Sequence, residues 1–270
     1  MNERHSSLFH NLPIYAVYLD GECVHASLRF YEEIEDRKDP ADVAKGGKRF
    51  VLRPPWCILT KRFVLKKKKY VFLIFTPYRE GCEPTEPQTE LFSATLTEHL
   101  RALLACADTR TAKVETLSPR ILLSAIANYV SNHICECVTD APPPDGNEKP
   151  AKFAPRSFTY AICLVLALHY GEKKSEQRAP LCLSLRALAR EYQIRIKMQT
   201  DSFTVFIKDL IDTLAEAGGF TAELDRDGVL FSLPVVQHHT FSLRTHLENE
   251  ISDIISAMLL LFTDGGQAET

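Results

Sequence analysis

The residues best placed to do chemistry in this sequence lie in the run HICEC, where His133, Cys135 and Cys137 offer imidazole and thiolate groups two residues apart. Soft ligands of this kind suit zinc. On a helix His133 and Cys137 would share a face at i,i+4, while Cys135 would point elsewhere. A fourth ligand would come from afar, with His238 or His239 as candidates. The alternative is that these cysteines simply pack at a helix end. DRDG (225–228) suits a hairpin turn, because a calcium loop needs further alternating oxygens and a distal glutamate. No G-x-S-x-G, G-x-x-x-x-G-K-[ST] or G-x-G-x-x-G occurs. With 11 glycines in 270 residues, the chain is poor in the backbone freedom that phosphate-cradling loops require.

Bulk properties narrow the classes further. Hydrophobic residues at 45% and charged residues at 25% are ordinary globular values, and a net charge of −3 gives no general pull toward nucleic acid or anionic membrane. The start, MNERHSSLFHNL, lacks an apolar core of the signal-peptide kind. The longest apolar runs, 161–168 and 257–262, fall short of the roughly 20 residues that span a bilayer. A soluble cytoplasmic protein is expected, its eight cysteines reduced and mostly packed as small hydrophobes.

The elements that must position any site follow from periodicity. LPIYAVYLDGECVHAS alternates around Asp20-Gly21 and reads as a hairpin. Residues 29–36 form a short helix and 36–48 a charged loop. WCILTKRFVLKK and KKYVFLIFTPYRE make a second hairpin with Lys66–Lys69 at its tip, a solvated turn in preference to a nucleic-acid patch. After the Pro84/Pro87 break, Phe92, Leu96, Leu100, Leu103 and Ala107 line one face of a helix over 89–107. A second helix over 118–138 opens with Ser118 as N-cap and Pro119 at its first position. Residues 140–150 are loop. Residues 156–170 form a helix apolar all round, followed by strands at 181–185 and 192–198 and a helix at 203–217. Gly218-Gly219 ends that helix, a hairpin turns at Asp227-Gly228, and an amphipathic helix over 241–262 closes the chain.

This order of helix, helix, strand, strand, helix, Gly-Gly, hairpin and Leu-Pro resembles the ATPase domain of sensor histidine kinases. VFIKDLID (205–212), Ala217-Gly218-Gly219 and GVLFSLP (228–234) stand where that family has A-I-V-K-x-L-V-E, H-G-G and G-T-x-F-x-x-x-L-P. Ala154-Pro155 followed by RSFTYAICLVLALHY is similar to its first nucleotide-binding helix. LTEHLRALL (96–104) resembles the dimerising helix that carries the phospho-acceptor histidine, with Glu98 in the histidine's place and His99 one residue later. The N-terminal segment looks like a PAS-type sensory domain.

The resemblance implies an α+β protein: a PAS-like domain (1–82), a linking helix (83–110), an ATPase-like α/β sandwich (111–236) and an extra C-terminal helix (237–270). It also implies lost chemistry. Leu168 stands where the family's magnesium-holding asparagine would fall, with Leu164 as its helical neighbour one turn earlier, and leucine offers no oxygen to a hard cation. Met198 stands at the adenine-binding aspartate, with Asp201 too far along the chain. QTDSF (199–203) replaces a long glycine-rich lid. No cofactor is expected. The expected partners are a second copy through 89–107 and, for the C-terminal helix, either the chain itself or a groove in another protein. An atypical ATP-using kinase and a plain interaction scaffold are the alternatives.

Overall fold

In a computed structural model, residues 14–34, 38–77, 98–133, 136–141, 149–171, 180–198, 203–236 and 247–262 are described. The chain divides into two units. The first holds Met1–Arg101 with Thr204–Asp209 and Leu260–Thr270; the second holds Ala102–Phe203 with Leu210–Leu259.

The first unit is built on an antiparallel sheet in the order β2-β1-β5-β4-β3. β1 (Ile14–Leu19) and β2 (Glu22–Ala26) meet at Asp20-Gly21, both in the left-handed region at φ 52° and 86°, the conformation a two-residue hairpin demands. β4 (Trp56–Leu65) and β5 (Lys68–Pro77) turn at Lys66-Lys67, again with positive φ at both residues. Helix α1 (Leu28–Glu33) and helix α2 (Lys38–Lys45) lie between β2 and β3 (Phe50–Arg53). One sheet face packs Ala16, Tyr18, Ile58 and Leu73 with Phe30, Ile34 and Val43 from the helical segment. The 36–48 stretch is therefore not a loop: burial of Val43 and Ala44 draws eight of its residues into α2. Arg62 then fastens the end of α2 by donating to the carbonyls of Ala44 and Gly46.

Residues 98–106 are helical (α3) and run from the first unit into the second. In the second unit, β6 (Glu115–Leu117) pairs with β8 (Ala151–Phe153), and a mixed sheet runs β11-β12-β10-β9-β7. Helix α4 (Pro119–His133) opens at the proline whose missing N–H costs nothing there. It stops five residues earlier than the 118–138 expectation. Cys137–Asp140 instead forms β7, held parallel to β9 (Leu181–Ala187) in the register Val138↔Cys182. Helix α5 (Pro155–Gly171) is enclosed along nearly its whole described length. β10 (Glu191–Lys197) pairs with β9 and β12, and helix α6 (Val205–Gly218) follows.

Gly219 at φ 70° lets the Phe220 N–H reach the Ala215 carbonyl at 3.1 Å, closing α6 with a Schellman cap. β11 (Thr221–Asp225) and β12 (Gly228–Pro234) are joined by Arg226-Asp227, one residue earlier than expected, because Asp225 pairs with Gly228. Phe158 sits edge-on to Phe153, Phe220 and Phe231 at 5.3–5.5 Å between ring centres, so α5 and the hairpin share one core. Helix α7 (Leu247–Phe262) buries Ile251, Ile254, Ile255 and Met258. It is tied to the second unit by Arg156–Glu250 at 2.9 Å and by Ser252 Oγ donating to Tyr129 Oη at 3.2 Å. The chain itself covers that stripe, so a partner's groove is not what buries it.

Candidate functional site

The second unit runs β6, α4, β7, β8, α5, β9, β10, α6, Gly218-Gly219 and then a hairpin ending at Leu233-Pro234, so β7 and β8 stand between the two helices expected to be consecutive. Its nominated nucleotide positions are apolar. Leu164 has no exposed surface, and Leu168, one helical turn on, is partly exposed. Met198 is 7% exposed and donates its backbone N–H to the Asp227 carbonyl at 3.2 Å, which ties the end of β10 to the hairpin turn. Asp201 lies outside the described residues.

Around α5 the polar groups are locked inward. Ser157 Oγ donates to the Cys106 carbonyl at 2.7 Å, and Thr159 Oγ1 back-bonds to the Pro155 carbonyl at 2.8 Å. Burial raises the Cys163 thiol and pushes the Tyr160 phenol up to about 12, so neither ionises near neutrality.

Glu98 is exposed and His99 partly exposed on α3, whereas Leu100, Leu103 and Ala107 are buried within the single chain. The described part of the proposed dimer stripe is thus already covered. The metal constellation does not assemble on one helical face. His133 ends α4, Cys137 begins β7, and Cys135 falls outside the described residues. No group of three metal-binding side chains occurs among the described residues.

Two polar clusters escaped the sequence reading, and both lie in the first unit at the start of α6. In the first, the His25 ring stands between hydroxyls, with Tyr15 Oη 3.1 Å from Nε2 and Thr204 Oγ1 3.4 Å from Nδ1. Phe206 packs on it at 5.6 Å between ring centres. Desolvation lowers its pKa from 6.5 to about 4, so the ring is neutral at pH 7. A neutral imidazole between two hydroxyls is satisfied in either tautomer.

In the second cluster, Asp209 Oδ2 accepts from Lys68 Nζ at 2.7 Å and from the Tyr70 hydroxyl at 2.5 Å. Burial first, and then Asp209, raise the Tyr70 phenol well above its ordinary value. Charge and hydrogen bonding are matched within each cluster, an arrangement suited to fixing the first turn of α6 and not to activating a nucleophile. No local signal marks His25: β2 reads ECVHA with no alternation in burial, and its place follows only from its pairing opposite the buried Val17.

No known protein family matches the chain, and no curated protein does. Among solved structures, the chain is similar to the Acinetobacter baumannii histidine kinase AdeS, with a TM-score of 0.37 and 14% identity over 59% of this chain and 89% of that one. A likeness at that level carries no argument about chemistry. No described helix is long and apolar enough to cross a membrane.

Proposed function

We propose that this chain is a non-catalytic signalling protein: a PAS-like unit joined to a histidine-kinase-type ATPase unit that no longer handles nucleotide. The observation that carries the reading is Leu168, partly exposed and apolar in a helix whose counterpart in the resembled family turns an asparagine toward magnesium at that position, with its neighbour Leu164 one turn earlier fully buried. Phosphoryl transfer rests on positioning and charge neutralisation, so an apolar residue there removes the main source of rate. Met198, covered by the hairpin turn, supports the same reading at the adenine end. Signals would then pass as rearrangement in place of phosphate, in a cytoplasmic protein. Self-association through 89–107 would have to rely on Phe92 and Leu96, since the chain covers the residues from Leu100 onward.

A thermal-shift series with Mg-ATP tests the reading. No concentration-dependent rise is expected, whereas a ligand binding only the native state stabilises by about 2.7 kcal/mol at a hundredfold excess over Kd. A saturable rise, removed by substitution at Asp201, would establish the atypical ATP-using alternative instead.

A further inference from the structure

The start of α6 is held by the first sheet at several points. Thr204–Asp209 belong to the first unit, whereas the same unbroken helix continues in the second from Leu210 onward. Asp209 Oδ2 accepts from Lys68 Nζ and Tyr70 Oη of β5. The Phe206 ring has no exposed surface and lies 5.4 Å from Tyr70, 5.6 Å from His25 and 6.2 Å from Phe63 between ring centres. Thr204 caps the helix, its Oγ1 accepting from the Ile207 N–H at 3.4 Å while standing 3.4 Å from His25 Nδ1.

Register puts these partners on one face of the sheet. Lys68, Tyr70 and Phe72 follow one another along a side of β5, Phe63 stands opposite Tyr70, and His25 and Phe72 both stand opposite Val17. The other face packs α1 and α2. Strands β2, β4 and β5 thus all contact one short stretch of helix, and a change in their twist or spacing alters its seat. The Lys68 side chain is 42% exposed, so the ion pair to Asp209 lies where a change of charge can reach it. Further along α6, Leu210, Ile211 and Leu214 are fully buried.

We infer that α6 is a coupling element: its start latches onto the first sheet, and release of that latch loosens the helix where it continues in the second unit. The inference rests for its purpose on the signalling reading above, and it names the element along which a rearrangement would pass. A helix suits this task because it is a stiff element whose turns form and fray cooperatively, so loss of a fixed end is felt along its length.

Amide hydrogen exchange on the full chain, followed by mass spectrometry of overlapping peptides without nucleotide, tests this. Asp209→Asn removes the ion pair, and Tyr70→Phe removes one hydroxyl while keeping the ring against Phe206. In each variant the amides of Leu210–Gly218 should exchange at least about tenfold faster, the scale set by a lost hydrogen bond to a charged group, with α5, β9 and β10 unchanged. Faster exchange confined to Val205–Asp209, no change in either variant, or an equal rise throughout the second unit would overturn the inference. The Mg-ATP series is a separate readout: a saturable rise there, with the exchange pattern as expected, would refute the loss of nucleotide handling and leave the coupling through α6 standing.

Discussion

Lowering the pH should weaken this protein through His25, and the size of the effect follows from its surroundings. The ring faces Tyr15 and Thr204 hydroxyls and the Phe206 ring, and its desolvation brings the folded-state pKa to about 4. An unfolded histidine titrates near 6.5. Between these values the unfolded chain binds more protons than the folded one, so stability is full above the unfolded pKa and falls as pH drops toward 4. The gap sets a ceiling of about 3 kcal/mol, and at pH 5 the loss relative to pH 8 is about 2 kcal/mol. Partial exposure of the ring reduces both. Urea unfolding at pH 8 and pH 5 measures the loss, and His25→Gln, which keeps hydrogen bonding but cannot titrate, subtracts the other ionisable groups. The wild type should lose more stability than the variant over this interval, and the His25 ring protons should titrate well below 6 by NMR. Identical pH dependence in the two proteins, or a ring titrating near 6.5, would refute the reasoning.

Gly228→Ala should be severely destabilising, by more than about 3 kcal/mol in urea unfolding, because positive φ strains any side chain and a backbone clash adds to that cost. Gly228 sits at φ 146°, and an added Cβ would come within 1.9 Å of the Ile196 carbonyl oxygen. Ile255→Ala should cost about 2–5 kcal/mol if α7 belongs to the core of the second unit. A near-neutral result by thermal melt would instead mark α7 as a detachable appendage.

The two hairpins of the first sheet were legible because their turns carry the chemistry of the turn: Asp20-Gly21 in one, a solvated lysine run in the other. So were α5, marked by Pro155 and an unbroken apolar run, and the end of α6, marked by Gly218-Gly219. What escaped has physical reasons. α2 reads KDPADVAK, half of it charged and with a proline at its third position, and its helicity depends on burying Val43 and Ala44. β3 is four residues with three exposed, so no alternation announces it. β7 continues an apparently helical pattern, and only parallel pairing with β9 extends it. The polar clusters were least legible of all. Thr204 lies 179 residues from His25, and Asp209 lies 141 from Lys68, so no local pattern records either pair.

The packing also bears on why the positions proposed to have lost nucleotide contacts read as they do. A helix that presents an amide to a metal must keep one face polar and open to a cleft, which leaves that face contributing little to the core. In this chain α5 is enclosed from Phe158 to Ala167, Phe158 knits it to the hairpin, and Arg156 ties its first turn to Glu250 of α7. Burial of apolar area is the main stabilising contribution a unit of this size has, at about 25 cal/mol per Å². Leucine at 164 adds to that core, whereas asparagine there would place an amide in an apolar setting at a cost of about 1–3 kcal/mol unless a partner met it. Leu164 is thus a residue the enclosed helix requires, whereas Leu168, partly exposed one turn on, is where the proposed function places the lost metal ligand, so packing accounts for the first leucine and not for the second.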